Sequence, residues 1–533
     1  METIYTGGTI LTMESPKDSP EAVLVRDAYI AAVGSLAQLK QQAPKANIRD
    51  LQGRCLMPAF VDPYSHIVMT GQMRQFADLS GCESFSDIVD TMRSYIAKNH
   101  VQPDSVAVGF GYDHNFLREK AHPDAASLDE ISRDIPVLLM HISGHLGCAN
   151  SAMLALAGVD ETTPDPYGGK YGREAGTNRP NGYLEETAFM AVQAVMKQTV
   201  KTDRRALLKG MQQAYLENGI TTCQDGATTP ENMALLREAD DLDLLDVDVV
   251  VYPMATENPE AFLQEHADCL NGYHKHIKIG GLKMILDGSP QGKTAWMSQP
   301  YEGMGDYCGY PFVSREEALH CAKTAVDSNL QLLCHCNGDA ASELFLTSYE
   351  QALQESENPE KQSLRPMMVH CQTVRNDQLQ RMAKLNMLAS IFVGHVYYWG
   401  DIHLQNFGFA RGNHISPVAD ALRCGLSVNF HQDTPITPPN MLHSVWCAVN
   451  RLSREGQVIG ADQKIGVYEA LKAATINAAY VYGEEDTKGS IKAGKYADLV
   501  ILDRNPMAVQ LMEIREIQVL ETIKKGTIVY QSA

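Results

Sequence analysis

"IKIGGLKMILDG", residues 277–288, is a run of apolar and β-branched residues with a lysine, Lys283, in its middle. A charged side chain inside an apolar strand is costly unless it is paired or neutralised. Lys278 and Lys283 lie five positions apart, so in a regular strand they face opposite sides and only one points inward. Lys283, Ile285 and Asp287 share a face. On its own terms this is a buried strand with an ion-paired lysine.

Seven other runs have the same character. They are CLMPAFVDPYSH (55–66), GITTCQDG (219–226), LDVDVVVYPM (245–254), LQLLCHCNGD (330–339), RPMMVHCQ (365–372), MLASIFVGH (387–395) and LSVNFHQD (426–433). Between them, segments such as SREEALHCAKTAVDSN and NDQLQRMAKLN carry helical periodicity. Continuous apolar strands alternating with helices predict a parallel sheet covered by helices. Eight such units predict an α/β protein of the (β/α)₈ TIM-barrel class over residues 56–485. The stretch from about 70 to 200 is too long for one connection. It reads as an insertion after the first strand, with its own strand PVLLMHISGH (136–145), and long inserts shape pockets. Both ends read as short strands with glycine turns, for example IYTGGTILTM and QVLETIKKGTIVYQ. They predict one small β-sandwich domain built from residues 1–55 and 486–533.

The bulk numbers narrow the function. The 533 residues carry 45 basic and 65 acidic side chains, 45 − 65 = −20, which argues against a nucleic-acid partner. No apolar run approaches the roughly 20 residues that span a bilayer, and METIYTGGTILTM lacks the basic start of a signal peptide. The 12 cysteines show no CxxC pair, so buried free thiols in a reducing cytoplasm are expected.

The metal-capable side chains fall at the strand ends. His66 ends the first run, His335 the fifth, His370 the sixth and Asp433 the eighth, while Lys283 lies within the fourth. Barrel enzymes build their sites at the C-terminal ends of their strands. One histidine at a strand end is unremarkable, whereas three with an aspartate converge on one place. Imidazole and carboxylate together suit Zn²⁺ or a similar divalent ion.

These residues sit in motifs that resemble the metal-dependent amidohydrolase superfamily, and within it the amidohydrolase family 3 group that includes N-substituted formamide deformylases. The matching segments are PAFVDPYSH, LKMILDGSPQGKTA followed by PY, HCNGDAA, MVHCQ, HQDTPITPP and ALKAATINAAYVYG with KGSIKAGKYADLVILDRNP. The insertion matches in GHLGCANSAML and NGYLEETA. The resemblance covers nearly the whole chain in order. It implies that the first-strand H-x-H motif supplies two ligands and that Lys283 is carboxylated and bridges two metals. It also implies that His335 and His370 bind the second metal, while Asp433 binds the first and shuttles the proton. It implies a small terminal β-domain as well, and, weakly, a homo-oligomer.

The chain departs from that pattern at Tyr64, in Asp62-Pro63-Tyr64-Ser65-His66, where the first histidine of D-x-H-x-H is expected. Three readings stay open. The first metal position is lost, leaving one ion on Lys283, His335 and His370; Tyr64 itself ligates or holds the water; or the site is silent. Before Asp433 stands His431 in place of a small residue, and His395 is expected at the end of the seventh strand. Both are candidates for substrate contact, as are His145 and Asn150 in the insertion, with Asp113 and His141 behind them. The expected function is metal-assisted hydrolysis of a non-peptide C–N bond in a small molecule, catalysed through Asp433 and Lys283, with one or two divalent ions. A cyclic amidase or deaminase-type hydrolase is the near alternative, and a catalytically silent binding homologue is the distant one.

Overall fold

In a computed structural model, residues 2–142, 144, 146–166, 169–200 and 204–532 are described. They fall into two compact units, 1–68 with 212–533, and 69–211.

The first unit holds the eight expected strands, all parallel to their neighbours. Phe60–Val61, Ile220–Thr228, Asp248–Pro253 and Ile277–Ile279 make one sheet. Gly281–Ile285, Gln331–Cys336, Met367–His370, Leu388–Ile391 and Val428–Phe430 make a second. The fourth strand therefore serves both sheets, its first half beside the third strand and its second half beside the fifth. The change of partner falls at Gly280–Gly281. A Cβ on Gly280 would meet the Tyr252 hydroxyl at 2.4 Å, and one on Gly281 would meet the Gln331 carbonyl oxygen at 2.1 Å. Glycine in a strand interior marks such close approaches. A parallel bridge from Met254 to Lys283, with Ala255 N–H donating to the Lys283 carbonyl at 2.7 Å, carries the pairing across the break. After the eighth strand, the Thr434 carbonyl accepts from His66 N–H at 2.8 Å.

Helices alternate with these strands, including Pro230–Asp241, Arg315–Asp327, Asp339–Glu355 and Asn376–Lys384. Ser314 shows why one of them starts where it does: its hydroxyl accepts from Glu317 N–H at 3.1 Å, satisfying an end donor. Inward side chains from five strands form one buried cluster containing Val61, Tyr252, Leu333, Val369 and Leu388. Tyr64 belongs to that cluster.

Both ends of the chain contribute to one five-stranded sheet. In order it runs Thr9–Ile10, Cys55–Pro58, Leu499–Leu502, Val519–Lys524 and Thr527–Gln531. A four-stranded sheet from the N-terminal fifty residues packs with it through Tyr5, Val23, Ile30, Leu56, Leu499 and Ile523.

The second unit is built on a six-stranded mixed sheet. Its order is Gly169–Arg173, Pro180–Glu186, Leu146–Ala149, Val137–His141, Ala107–Tyr112 and Ala77–Asp78. Strand alternation loads both faces. Val106, Val108, Leu138 and Met140 join one buried cluster, while Ala107, Val137 and Leu139 join the other. Among the described residues no helix is long and apolar enough to cross a membrane.

Candidate metal centre

The strand register brings the polar residues to one end of the sheet. His335 lies opposite Ile285, two residues beyond Lys283, and His370 lies opposite Cys336. His370 and Asp433 both adopt left-handed backbone, φ 72° and 53°. For residues other than glycine such conformations cost about 1–3 kcal/mol and persist where surrounding structure enforces them. His370 is the last residue of its strand, whereas Asp433 lies in the turn three residues past Phe430, where the eighth strand stops, and not at the strand's own end as the sequence suggested.

Five side chains then face one another. His370 Nε2 lies 3.1 Å from His335 Nδ1, and His370 Nδ1 lies 3.2 Å from His431 Nε2. His66 Nε2 lies 3.2 Å from Asp433 Oδ1, and Asp433 Oδ2 lies 3.9 Å from His370 Nε2. His66 Nδ1 donates to the Gly226 carbonyl at 2.7 Å. A carbonyl only accepts, so this bond places a proton on Nδ1 and aims Nε2 at the site, where burial would lower the imidazole pKa but the Asp433 carboxylate raises it above the ordinary value. Burial, reinforced by the nearby Lys283 ammonium, pushes the His335 imidazole down to about 3. Burial does the same to His431, also to about 3. Both rings are therefore neutral at pH 7, the state in which imidazole donates a lone pair.

Lys283 is fully buried, and its Nζ has no hydrogen-bond partner among the described residues. Among the described residues, the ion pair offered by the sequence is absent. Asp287, on the same strand face, accepts instead from the backbone N–H groups of Trp296, Asn337 and Gly338 at 2.7–3.0 Å. Burial pushes Lys283 down to about 8. Its nearest compensation is the face of Tyr64, whose ring centre lies 4.3 Å from Nζ. Tyr64 is itself 2% exposed, and the rings of His66, His370 and His431 stand edge-on to it at 5.2–5.6 Å.

The donor set fits a divalent cation. Two imidazoles converge, the Asp433 carboxylate lies beside them, and a lysine nitrogen with no hydrogen-bond partner among the described residues faces the same space. Fully buried polar atoms are normally satisfied, so the Lys283 nitrogen calls for a partner.

An amidohydrolase family model matches residues 47–530. The chain belongs to the amidohydrolase family. As a member it is a hydrolase of the amidohydrolase type. It is 27% identical to an N-substituted formamide deformylase of Arthrobacter pascens, over 98% of this chain and 97% of that one. It is 25% identical to a putative amidohydrolase of Bacillus subtilis over the full length of both. An uncharacterized metal-dependent hydrolase from Pyrococcus horikoshii superposes with a TM-score of 0.76 at 23% identity, covering 96% of this chain and 99% of that chain. The fold is thus the TIM-barrel-type α/β fold of amidohydrolases.

Against that family pattern the other expected residues divide. His431 lies inside the cluster, its Nδ1 2.8 Å from Ser390 Oγ. His395 stands at the start of the helix His395–Gly412, not at the end of the seventh strand, which stops at Ile391. Its ring lies 6.4 Å from His370 and stacks on His403 at 5.4 Å. Asn150 has a structural post. It is fully buried, caps the helix Ser151–Leu156, and bonds the backbone of Val137, Met153, Ser132 and Ile135. A side chain so engaged has nothing left for a substrate, which corrects the expectation for it. Asp113 is buried in the second unit, its Oδ1 3.6 Å from His141 Nε2. His145 lies outside the described residues.

Three residues escaped the sequence reading. Asp225, fully buried, pairs with His66 through an isolated backbone bridge and accepts from Val68 N–H at 3.2 Å. Its position at the end of the second run was a usable signal. Ser390 had no signal, because a serine in an apolar strand is commonplace. His403 had one: His395, Trp399, His403 and Phe407 repeat every four residues, which marks one face of a helix.

Proposed function

We propose that this amidohydrolase cleaves an N-substituted amide or formamide with the aid of a divalent ion of the zinc class, held by Lys283, His335 and His370, with His66 and Asp433 beside them. The observation that carries the reading is the unpartnered Lys283 Nζ, fully buried beside the converging nitrogens of His335 and His370. The formamide deformylase relative, alike over nearly its whole length, favours the substrate class.

A zinc ion bound there would lower the pKa of water to about 7 and polarise the scissile carbonyl. The chain's residues do the rest. Asp433, drawn toward His66, is held below the usual carboxylate range although burial alone would raise it, so it is ready to accept a proton. It takes the proton from the attacking water at a carboxylate oxygen and delivers it to the departing nitrogen, which leaves as a neutral amine. The bond from His66 to the Gly226 carbonyl keeps that imidazole oriented through both transfers. Carboxylation of Lys283 by CO₂, with two protons released from its ammonium, would exchange a buried cation for an anionic ligand. The domain limits we propose are a composite β-sandwich of 1–55 and 486–533 around a barrel of 56–485, and we place the protein in the cytoplasm. Support for the compartment is that all twelve cysteines are free.

A second reading has one observation behind it. The Tyr64 ring face, 4.3 Å from Nζ, stabilises an ammonium at Lys283, which opposes carboxylation and leaves room for one ion only. The deciding experiment measures metal content and screens N-acyl, formamide and cyclic amide compounds, with Lys283→Ala as control. At least one equivalent of metal, with activity lost in Lys283→Ala, is the expected result. Well under one equivalent in the purified protein overturns the catalytic reading. Full metal and full activity in Lys283→Ala overturn the assignment of the lysine.

A further inference from the structure

We propose that the second unit carries a divalent-cation site of its own, formed by Asp113, His114 and His141. This inference stands apart from the strand-end centre and does not depend on it. One ligand-capable atom from each of the three residues lies within 4.8 Å of the other two. The spacing is 3.2 Å from His114 Nδ1 to His141 Nε2, 3.6 Å from Asp113 Oδ1 to His141 Nε2, and 3.8 Å from Asp113 Oδ1 to His114 Nδ1. Nitrogen and oxygen donors at zinc distances define a tetrahedron whose edges are about 3.3–3.4 Å. The three atoms already approximate one face of it, and small rotamer adjustments close the difference.

The backbone is shaped to bring them together. Asp113 and His114 follow the strand Ala107–Tyr112, and His141 ends its parallel neighbour Val137–His141. The pairing slips by one residue between Met140 and His141, so that His141 lies opposite Tyr112, not Gly111. Gly111 absorbs the slip with φ +98°. Bulges between parallel strands are rare, and bulges re-aim side chains beside functional sites. The slip sets His141 level with Tyr112, one residue before Asp113 and two before His114.

A supporting layer orients the donors. Asn115 donates both its backbone N–H and its side-chain amide to Asp113 Oδ1 at 2.9 Å. The His122 ring stacks on His114 at 4.0 Å, and His122 Nδ1 is fixed 3.0 Å from the Tyr112 hydroxyl. Metal-binding side chains are characteristically held by such outer contacts. Asp113 and His141 are almost wholly enclosed, whereas the His114 side chain is 28% exposed and supplies the way in. Two imidazoles and one carboxylate favour an ion of the zinc or iron(II) class over calcium or magnesium, with water in the remaining positions. The ion would fasten two neighbouring strand ends.

The test uses the full chain, stripped by chelation and reloaded with Co²⁺, whose visible absorption reports nitrogen ligation. In a His335→Ala/His370→Ala background the chain is expected to retain one equivalent of Co²⁺ with that absorption, and His114→Gln is expected to remove both. His114 is partly exposed, so its substitution by glutamine leaves the buried clusters intact. Elemental analysis of the chain with an unaltered strand-end centre gives the second measurement, one equivalent of Zn²⁺ fewer in His114→Gln. Retention of no Co²⁺ in the double-alanine background overturns the proposal, as does an unchanged metal count in His114→Gln.

Discussion

Tyr64 decides how much metal the strand-end centre can hold. Its ring fills the space between Lys283 and three histidines, and it is packed with core residues from the surrounding strands. A phenol that serves as wall removes one ligand from the D-x-H-x-H pattern. Tyr64→His is therefore expected to raise bound Zn²⁺ by one equivalent, measured by elemental analysis, and an unchanged count would favour tyrosine as a ligand in its own right. At Asp433 the expectation concerns rate. Asp433→Asn preserves shape and removes the proton acceptor, so kcat should fall by about 10²–10⁴ on any substrate found. A fall in KM alone would contradict it. The residues of this centre were legible because strand ends are where apolar periodicity stops and an isolated His or Asp stands out. Their partners were not. The carbonyl that fixes His66 belongs to Gly226 on another strand, and no spacing in the sequence encodes that meeting.

At the level of elements, the eight strands were readable from apolar runs, and the structure contains all of them. The interruption of the fourth was not, since two adjacent glycines inside an apolar run have several meanings. Their meaning here is contact: Gly280 passes the Tyr252 hydroxyl with no room for a side chain. Gly280→Val is expected to destabilise the protein by about 1–3 kcal/mol, as overpacking does, in urea unfolding followed by circular dichroism. An effect below a few tenths of a kcal/mol would mean that the strand can shift there freely. The insertion was legible as an insertion, through its length. Its six-stranded sheet and the slipped pairing at His141 were not, because its strands alternate both faces into apolar cores and so resemble any buried run.

Across the whole molecule, a buried charge network ties the parallel strands to the terminal sheet. Asp248, on the third strand, meets Lys524 at 2.6 Å and Lys488 at 2.7 Å, and Lys524 also meets Asp498 at 2.8 Å. Burial alone would raise the Asp248 carboxyl, but the two ammoniums override it and hold it well below the usual carboxylate range. A carboxyl whose folded pKa is depressed stabilises the protein above its unfolded value, near pH 4, and that stability drains away as the pH falls further. Asp248→Asn is thus expected to cost about 1–3 kcal/mol at neutral pH, because it removes the carboxylate that two buried ammoniums share and leaves Lys524 to Asp498 and Lys488 to Glu484 alone. It should also flatten the decline of stability below about pH 4, where the native carboxylate would otherwise take up its proton. Equal acid profiles for the two proteins would refute the assignment.

The same sheet sets a timetable for synthesis. The strand Cys55–Pro58 must wait for Leu499–Leu502 to cover its open side, and 499 − 58 = 441 positions separate them. At roughly 5–20 residues per second, a ribosome needs on the order of 20–90 s to deliver the partner. Throughout that interval Leu56 and its neighbours present an unpaired edge to everything else in the cell. Folding of this chain cannot be completed from the front as it emerges, and its yield during expression will depend on how well that edge is shielded until the last fifty residues arrive.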